Sequence, residues 1–493
     1  MKKSILFLLL ALSSPILYSQ NKTIQIIRAD HQPRHYDLLK EYMEFLSLPN
    51  TMNDPEQLQV NARYILEMMK KRGIGNARLL EADTPGAIPA VYGEVLTPGA
   101  TKTLIFYAHY DGQPVNPDKW AEGLSPFKPQ LATAPLDKGG QLIDFPASGS
   151  SSSAKSDFRG TDTGVSVQPE WRLYARAAAD DKAGVFTILN AYDAIRRTKL
   201  APKINLKFFF EGEEEKGSVN LGEILEKHRG LLKADAWIIC DGPMHASGKK
   251  QITFGVRGDV NLNLTVFGAK RPLHSGNYGN WAPNPAMKLV RLLATMKDDG
   301  GNVLIPGFYD DVIPLSTSER AALAAIPDPA PMMQQELAFA QAENPDRSFL
   351  ESIITLPTLN INGIVSANVG KLASNIIPTT ATVTLDLRLV KGNDHKRQVQ
   401  KVVDHIQKQG YYVLDREPTD EERLKHPNIA TVRVATGYNA QRTSMDLPIS
   451  KLVIQAVKTT VNQDIVLMPS AGGSLPLYLF EEVLNTPPIS VPV

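Results

Sequence analysis

The stretch LKFFFEGEEEKGS, residues 206–218, runs from an aromatic strand pattern straight into three consecutive glutamates. A short continuous apolar run bounded by turn residues reads as a buried strand. Glu213, Glu214 and Glu215 repel one another at that boundary unless a cation compensates them. Taken alone, the triplet also reads as a solvated cap on the following helix. Three further runs behave the same way. LIFYAHYD (104–111) ends on His109 and Asp111, RLYARAAADDKAG (172–184) contains Asp180 and Asp181, and AWIICDGP (236–243) contains Asp241. Strands that end on a histidine or carboxylate place it on the rim of a sheet, which is where open α/β folds build their sites. Individually, Asp180-Asp181 reads as a helix N-cap, Asp241 as a turn residue, and His109-x-Asp111 as a weak signal. Their shared placement is what those separate explanations leave out.

Outward from these runs, helical periodicity fits 36–46, 55–71, 181–198 and 220–228, and strand patterns fit 77–81, 89–95, 103–107, 205–210 and 236–240. Strands alternating with helices predict an α/β fold with a mostly parallel sheet flanked by helices. The pattern changes after Val256-Arg257-Gly258. Polar and apolar residues alternate over 259–267 and 381–389, which predicts half-buried antiparallel strands. Helices are expected at 284–297 and 394–408, and residues 305–356 read as a Pro-rich polar region. The expected organisation is a catalytic domain over 21–255 and 444–493, interrupted by an α+β domain over 256–443.

The chain has 493 residues, 43% of them apolar and 21% charged, as in soluble globular proteins. A net charge of +1 and no dense basic stripe leave no footprint for nucleic acid. Lys2-Lys3, the apolar run Ile5–Leu12 and a short polar stretch predict an export signal over 1–20, too short to span a bilayer. An exported (periplasmic or secreted) protein without membrane attachment after cleavage is expected. Cys240 is the single cysteine, so an internal disulfide is excluded. The patch ASGSSSSAKS (147–156) reads as a surface loop.

HYDGQP, AAADDKAG, EGEEEKGS and CDGP, in that order, resemble the motifs of the co-catalytic zinc peptidase and aminoacylase family. That family includes carnosinase-like dipeptidases, glutamate carboxypeptidase and succinyl-diaminopimelate desuccinylase. PLHSGNYGN, NIIPTTATVTLDLRLV and AGGSLP extend the likeness over nearly the whole chain, and the carnosinase-like branch is the most similar. The resemblance implies two zinc ions bridged by Asp180, with His109 and Asp241 completing one site and Glu215 on the other. It implies Glu214 as general base, and Asp111 as the group that holds His109 in its ligating tautomer. His274 would reach an active site across a homodimer and steady the oxyanion. Arg388 would clamp a substrate carboxylate, and Asn375, Gly473 and Ser474 would line the pocket for a small peptide.

The likeness also has departures. The family's Gly-Arg-Gly before the bridging aspartate reads Ala175-Arg176-Ala177 here, and a metal-binding histidine expected after the GGS segment is not found, His426 being the last. The expectation is therefore a truncated sequence with an incomplete second metal site and little activity. The function implied is hydrolysis of a peptide bond in dipeptides or small peptides with a free carboxylate. The alternatives are an N-acyl amino acid deacylase and a catalytically inactive peptide-binding homologue.

Overall fold

The computed structural model describes residues 22–143 and 167–493. The expected signal (1–20) and the Ser-rich patch (147–156) lie outside the described residues. The chain forms two compact units: Met1–Ile252 with Asp446–Val466 and Leu479–Val493, and Thr253–Met445 with Leu467–Tyr478.

The first unit opens with the helices His35–Leu46 and Pro55–Lys71. The second starts sharply because Asp54 accepts the Gln57 N–H and Pro55 occupies the first turn, where its missing donor costs nothing. Six strands of the main sheet lie in this unit, in the order Gly75–Leu80, Ala90–Val95, Asn205–Glu211, Thr103–His109, Ala236–Ile239, Pro488–Ser490. The first two run antiparallel to their neighbours, while the other four are mutually parallel. The expected mostly parallel sheet is therefore present, with an antiparallel flank. Parallel strands covered on both faces read as continuous apolar runs, and Ala236–Ile239 is buried at every position. Lys207 interrupts the aromatic strand without penalty because its ammonium reaches the carbonyls of Leu231 and Lys233 at 2.7 and 2.8 Å. Trp237 packs against Phe209 and Phe480, with ring centroids 5.2 and 4.5 Å away.

Pro488–Ser490 forms a buried strand alongside Trp237–Ile239. One expectation is corrected in this part of the chain. Leu467–Tyr478, assigned with the first unit, belongs to the second, because Ala471–Ser474 pairs with Val256 and Arg257.

In the second unit, the strand order is Thr358–Val365, Thr380–Leu389, Gly255–Phe267, Ile429–Tyr438, Tyr412–Leu414. The long central strand is antiparallel to both neighbours. Its alternation puts Val260, Leu262, Leu264 and Val266 into a core with Val383, Leu385 and Leu387. Leu289 and Leu292 of the helix Pro285–Ala294 and Val402 and Ile406 of the helix His395–Lys408 complete that core. Residues 305–356, read from sequence only as a Pro-rich polar region, carry the helices Thr317–Ala324, Ala330–Leu337 and Phe349–Ile354. The first and last begin in capping boxes, Ser316 with Glu319 and Ser348 with Glu351.

Candidate metal centre

Parallel register sets the geometry of the site. Thr103–His109 lies residue for residue beside Asn205–Glu211, so His109 and Glu211 come level at the strand ends. Ala236–Ile239 flanks the same strand, with Ile239 opposite Tyr107. Three strands therefore finish on one rim, and the residues that follow them converge. The run 172–184 reaches this rim differently from expectation. Its strand, Arg172–Tyr174, belongs to a separate small sheet, and Asp180 comes from the loop that starts the helix Lys182–Arg197.

The His109 ring is fully buried, and Asp111 holds it from one side. Nδ1 lies 3.2 Å from both the carbonyl and the Oδ1 of Asp111, which leaves Nε2 directed at the rim. Nε2 lies 3.0 Å from Asp180 Oδ1 and 3.7 Å from both Asp241 Oδ2 and Glu214 Oε2. Asp180 is 65% exposed in its side chain, so the cluster has a buried floor and an open side. Ligand atoms of His109, Asp180 and Asp241 all fall within 4.8 Å of one another, as a shared metal ion requires.

The acidic triplet divides by role. Glu213 is buried and takes two hydrogen bonds from the Asn220 amide, at 3.0 and 2.8 Å, so it braces the turn. Glu214 and Glu215 donate their backbone N–H groups to the two oxygens of Asp111, at 3.1 and 3.0 Å. One carboxylate thus positions the histidine and the turn that carries both glutamates. Glu215 Oε2 accepts from the Gln113 amide at 2.7 Å, a partner that the sequence does not single out. Asp181, paired in sequence with Asp180, acts as the helix N-cap. It accepts from Gly184 N, and its other oxygen accepts the His109 N–H, both at 3.1 Å. A Cβ at residue 184 would lie 2.4 Å from Asp181 Oδ1, which explains the glycine.

The electrostatics show a surplus of negative charge. Burial pushes Glu214 up to about 8, with the charges of Asp241, Glu211 and Asp111 adding to the shift against His109. Asp241 is raised mainly by burial and by Asp180, and Glu215 mainly by burial and by Asp180. Burial alone would lower His109, but the hydrogen bonds with Asp111 and Asp180 and the Glu214 charge outweigh it and hold the ring well above its ordinary value. Asp180 is lowered by its bond to His109. Three carboxylates crowd the same imidazole nitrogen, a donor set that suits a divalent cation. His109, Asp180 and Asp241 fit such an ion. Glu215 lies outside that triplet and is linked to it through the Asp180 charge.

The remaining candidates lie in the second unit, in two groups. His274 and Asn375 are neighbours in a two-stranded ribbon, where His274 pairs with Ile376 and Ser275 N bonds the Asn375 carbonyl at 2.9 Å. His274 Nδ1 accepts from Gly276 N at 3.1 Å, and its ring is exposed. Arg388 donates through Nη1 to Ser474 Oγ at 2.9 Å and faces Asp386 and Asp259 at 3.1 and 3.7 Å. Gly473, beside Ser474, is exposed.

Residues 150–485 match the family model described as peptidase family M20/M25/M40. The chain belongs to that family. Within it, the chain is 27% identical over 343 residues to the Cys-Gly metallodipeptidase of Schizosaccharomyces pombe, an alignment covering 69% of this chain and 64% of that protein. It is 30% identical over 259 residues to the human Beta-Ala-His dipeptidase, covering 50% of this chain and 49% of that one. The alignments therefore span just under two thirds and about half of these relatives. The M20 family metallo-carboxypeptidase Sso-CP2 of Sulfolobus solfataricus has a similar structure, with TM-score 0.69, 28% identity, and coverage of 92% of this chain and 90% of that one. In the M20 family member described here, the strand-rim cluster of His109, Asp180 and Asp241 is the candidate metal centre.

Proposed function

We propose that this chain is a zinc-dependent dipeptidase that cleaves the amide bond of dipeptides or small peptides with a free C-terminal carboxylate. The observation that carries this reading is the His109 ring, buried on the sheet rim with three carboxylates within 3.7 Å of Nε2. The dipeptidase names of the two sequence relatives support the substrate class.

His109, Asp180 and Asp241 would hold one zinc ion, and Asp180 and Glu215 would contribute to a second. Bound there, the ions would polarise the scissile carbonyl and acidify water. Glu214 Oε2 would take the proton of the attacking water and pass it to the leaving amine nitrogen. Burial raises the Glu214 carboxyl to about 8, which keeps it largely protonated at neutrality, and a neighbouring cation would lower it toward the range in which the carboxylate accepts a proton. Asp111 would keep Nδ1 occupied so that Nε2 stays available as a ligand.

Arg388 is assigned to the substrate carboxylate, which suits a guanidinium fork, with Asn375, Gly473 and Ser474 lining the pocket. His274 is assigned to the oxyanion across a homodimer. An exposed edge strand, Thr358–Val365, with Ile361, Ile364 and Val365 outward, supports self-association. Export through residues 1–20 belongs to the same reading.

The test is metal content and turnover on Cys-Gly, β-Ala-His and an N-acetyl amino acid, for the wild type and Glu214→Gln. Metal-dependent dipeptide cleavage that falls 10²–10⁴-fold in Glu214→Gln at unchanged metal content is expected. Cleavage of only the N-acetyl substrate would replace this reading with a deacylase. Peptide binding without turnover of any substrate would leave an inactive binding protein.

A further inference from the structure

The geometry points to a second ligand site, for an amphipathic carboxylate, in a cavity of the second unit that shares no residue with the metal centre. The cavity measures about 430 Å³ and is enclosed by the helices Ala330–Leu337 and Phe349–Ile354 and the start of the strand Thr358–Val365. That is within the size range of small-molecule sites.

Its floor holds a buried charge with unused capacity. Arg257, only 4% exposed, lines the cavity. Its Nη2 donates to the carbonyls of Arg388 and Leu356 at 2.9 and 3.1 Å and to Thr358 Oγ1 at 3.4 Å. Its Nε has no acceptor. The hydrogen-bond partners of this buried guanidinium are all neutral oxygens, and an unsatisfied buried donor costs about 1–3 kcal/mol. Burial and the Arg388 charge, against the opposing Asp386 charge, push it down to about 10.

The wall repeats the sign. Lys297 is neutralised by Glu343 at 2.7 Å, whereas Arg347, also lining the cavity, makes no ion pair among the described residues. Of three cationic and one anionic lining groups, two cations therefore remain unbalanced. The rest of the lining is largely apolar. Met333, Ile353 and Leu359 lie inside, and Leu337 and Phe339, 60% and 43% exposed, form the edge. Arginine forks take carboxylates in two-point contact, and exposed apolar side chains beside a cavity mark a surface that a ligand covers. One end of the ligand is thus an anion and the other a hydrocarbon or aromatic body of roughly eight carbons, sized to a cavity at the small end of the usual range.

The experiment is calorimetric titration of the full-length, zinc-loaded protein with octanoate, octanol and inorganic phosphate. Octanoate is expected to bind at least tenfold more tightly than octanol or phosphate. Met333→Trp, which fills the cavity, and Arg257→Met, which removes the charge, should each weaken octanoate at least tenfold. His109→Ala should leave octanoate binding unchanged, since a carboxylate bound to the active-site metals would be lost there. Arg257→Met is used only if its circular dichroism matches the wild type, and Met333→Trp carries the test if it does not. Equal binding of octanol, unaltered binding in Met333→Trp, or loss in His109→Ala would each overturn the proposal.

Discussion

Replacing Asp111 should dismantle the candidate metal centre while leaving each of its proposed ligands in the sequence. Its side chain is fully buried and makes three contacts: His109 Nδ1 at 3.2 Å, Glu214 N at 3.1 Å and Glu215 N at 3.0 Å. Asp111→Ala removes both acceptor oxygens, and with them all three contacts, and leaves two backbone donors in a part-buried turn. Each orphaned donor costs about 1–3 kcal/mol, and such terms do not add fully, so a loss of about 2–5 kcal/mol in folding stability follows. Losing the orienting partner of a ligating histidine costs typically 10–100-fold in metal affinity, or about 1.4–2.7 kcal/mol. Asp111→Asn keeps one acceptor oxygen and turns an amide NH₂ toward a donor, so it should show an intermediate loss on both measures. Urea unfolding of chelated protein followed by circular dichroism gives the first number, and zinc titration by calorimetry gives the second. If Asp111→Ala unfolds within about 1 kcal/mol of the wild type and binds zinc within twofold, the carboxylate is not the organiser described here.

Other substitutions test separate parts of the argument. Ala177 sits at φ 61°, in the left-handed region, where a Cβ costs about 1–2 kcal/mol. Ala177→Gly should therefore be neutral or stabilising by up to about 1 kcal/mol in thermal unfolding, whereas the same change in an ordinary helix interior destabilises by about 1 kcal/mol. Phe480 packs on Trp237 and Tyr107, with centroids 4.5 and 5.8 Å away, so Phe480→Ala should cost about 3–5 kcal/mol in urea unfolding. Asp259 is pushed up to about 6, chiefly by burial, with Arg388 opposing and the Asp386 carboxylate adding. The fold favours its protonated form, so its contribution is complete below the unfolded value of about 3.9 and is lost as pH rises through about 6. Asp259→Asn should flatten that decline in a pH series of urea midpoints. It should be the more stable form above pH 6 by about 1 kcal/mol once solvent screening is allowed for.

Much of the candidate cluster, His109, Asp180 and Asp241, was legible because it is written locally. His109 and Asp241 follow apolar runs that must be buried strands, and parallel strands expose their ends on a common rim. Asp180 was legible for a different reason than the one inferred, since it precedes a helix rather than ending a strand of the main sheet. The division of labour among Glu213, Glu214 and Glu215 was not readable from their letters. It depends on Asn220 reaching Glu213 and on Asp111 accepting the next two backbone donors, contacts that only the closed turn creates. Gln113 sits inside the HYDGQP motif but had no role assigned there, and Arg257 carried no motif, because their importance comes from what they face rather than from their neighbours in sequence.

Residues 305–356 hid their helices because proline density masked two Ser-x-x-Glu caps that were present in the sequence. The unit membership of 467–478 was hidden more deeply. Local patterns set strand propensity, yet the partner that a strand adopts is a choice among distant edges, and Ala471–Ser474 chose Val256 and Arg257.

What the sequence determined alone is the class of fold, the order of its elements and the residue types delivered to the rim, since burial and periodicity act within a few residues of chain. Tertiary structure decided which carboxylates lie within 3.7 Å of one imidazole and which brace the turn beneath them. The bracing contact spans seven positions, but the rest of the cluster depends on hydrogen bonds between residues some seventy to a hundred positions apart, and such distances exist only once the strands are in register.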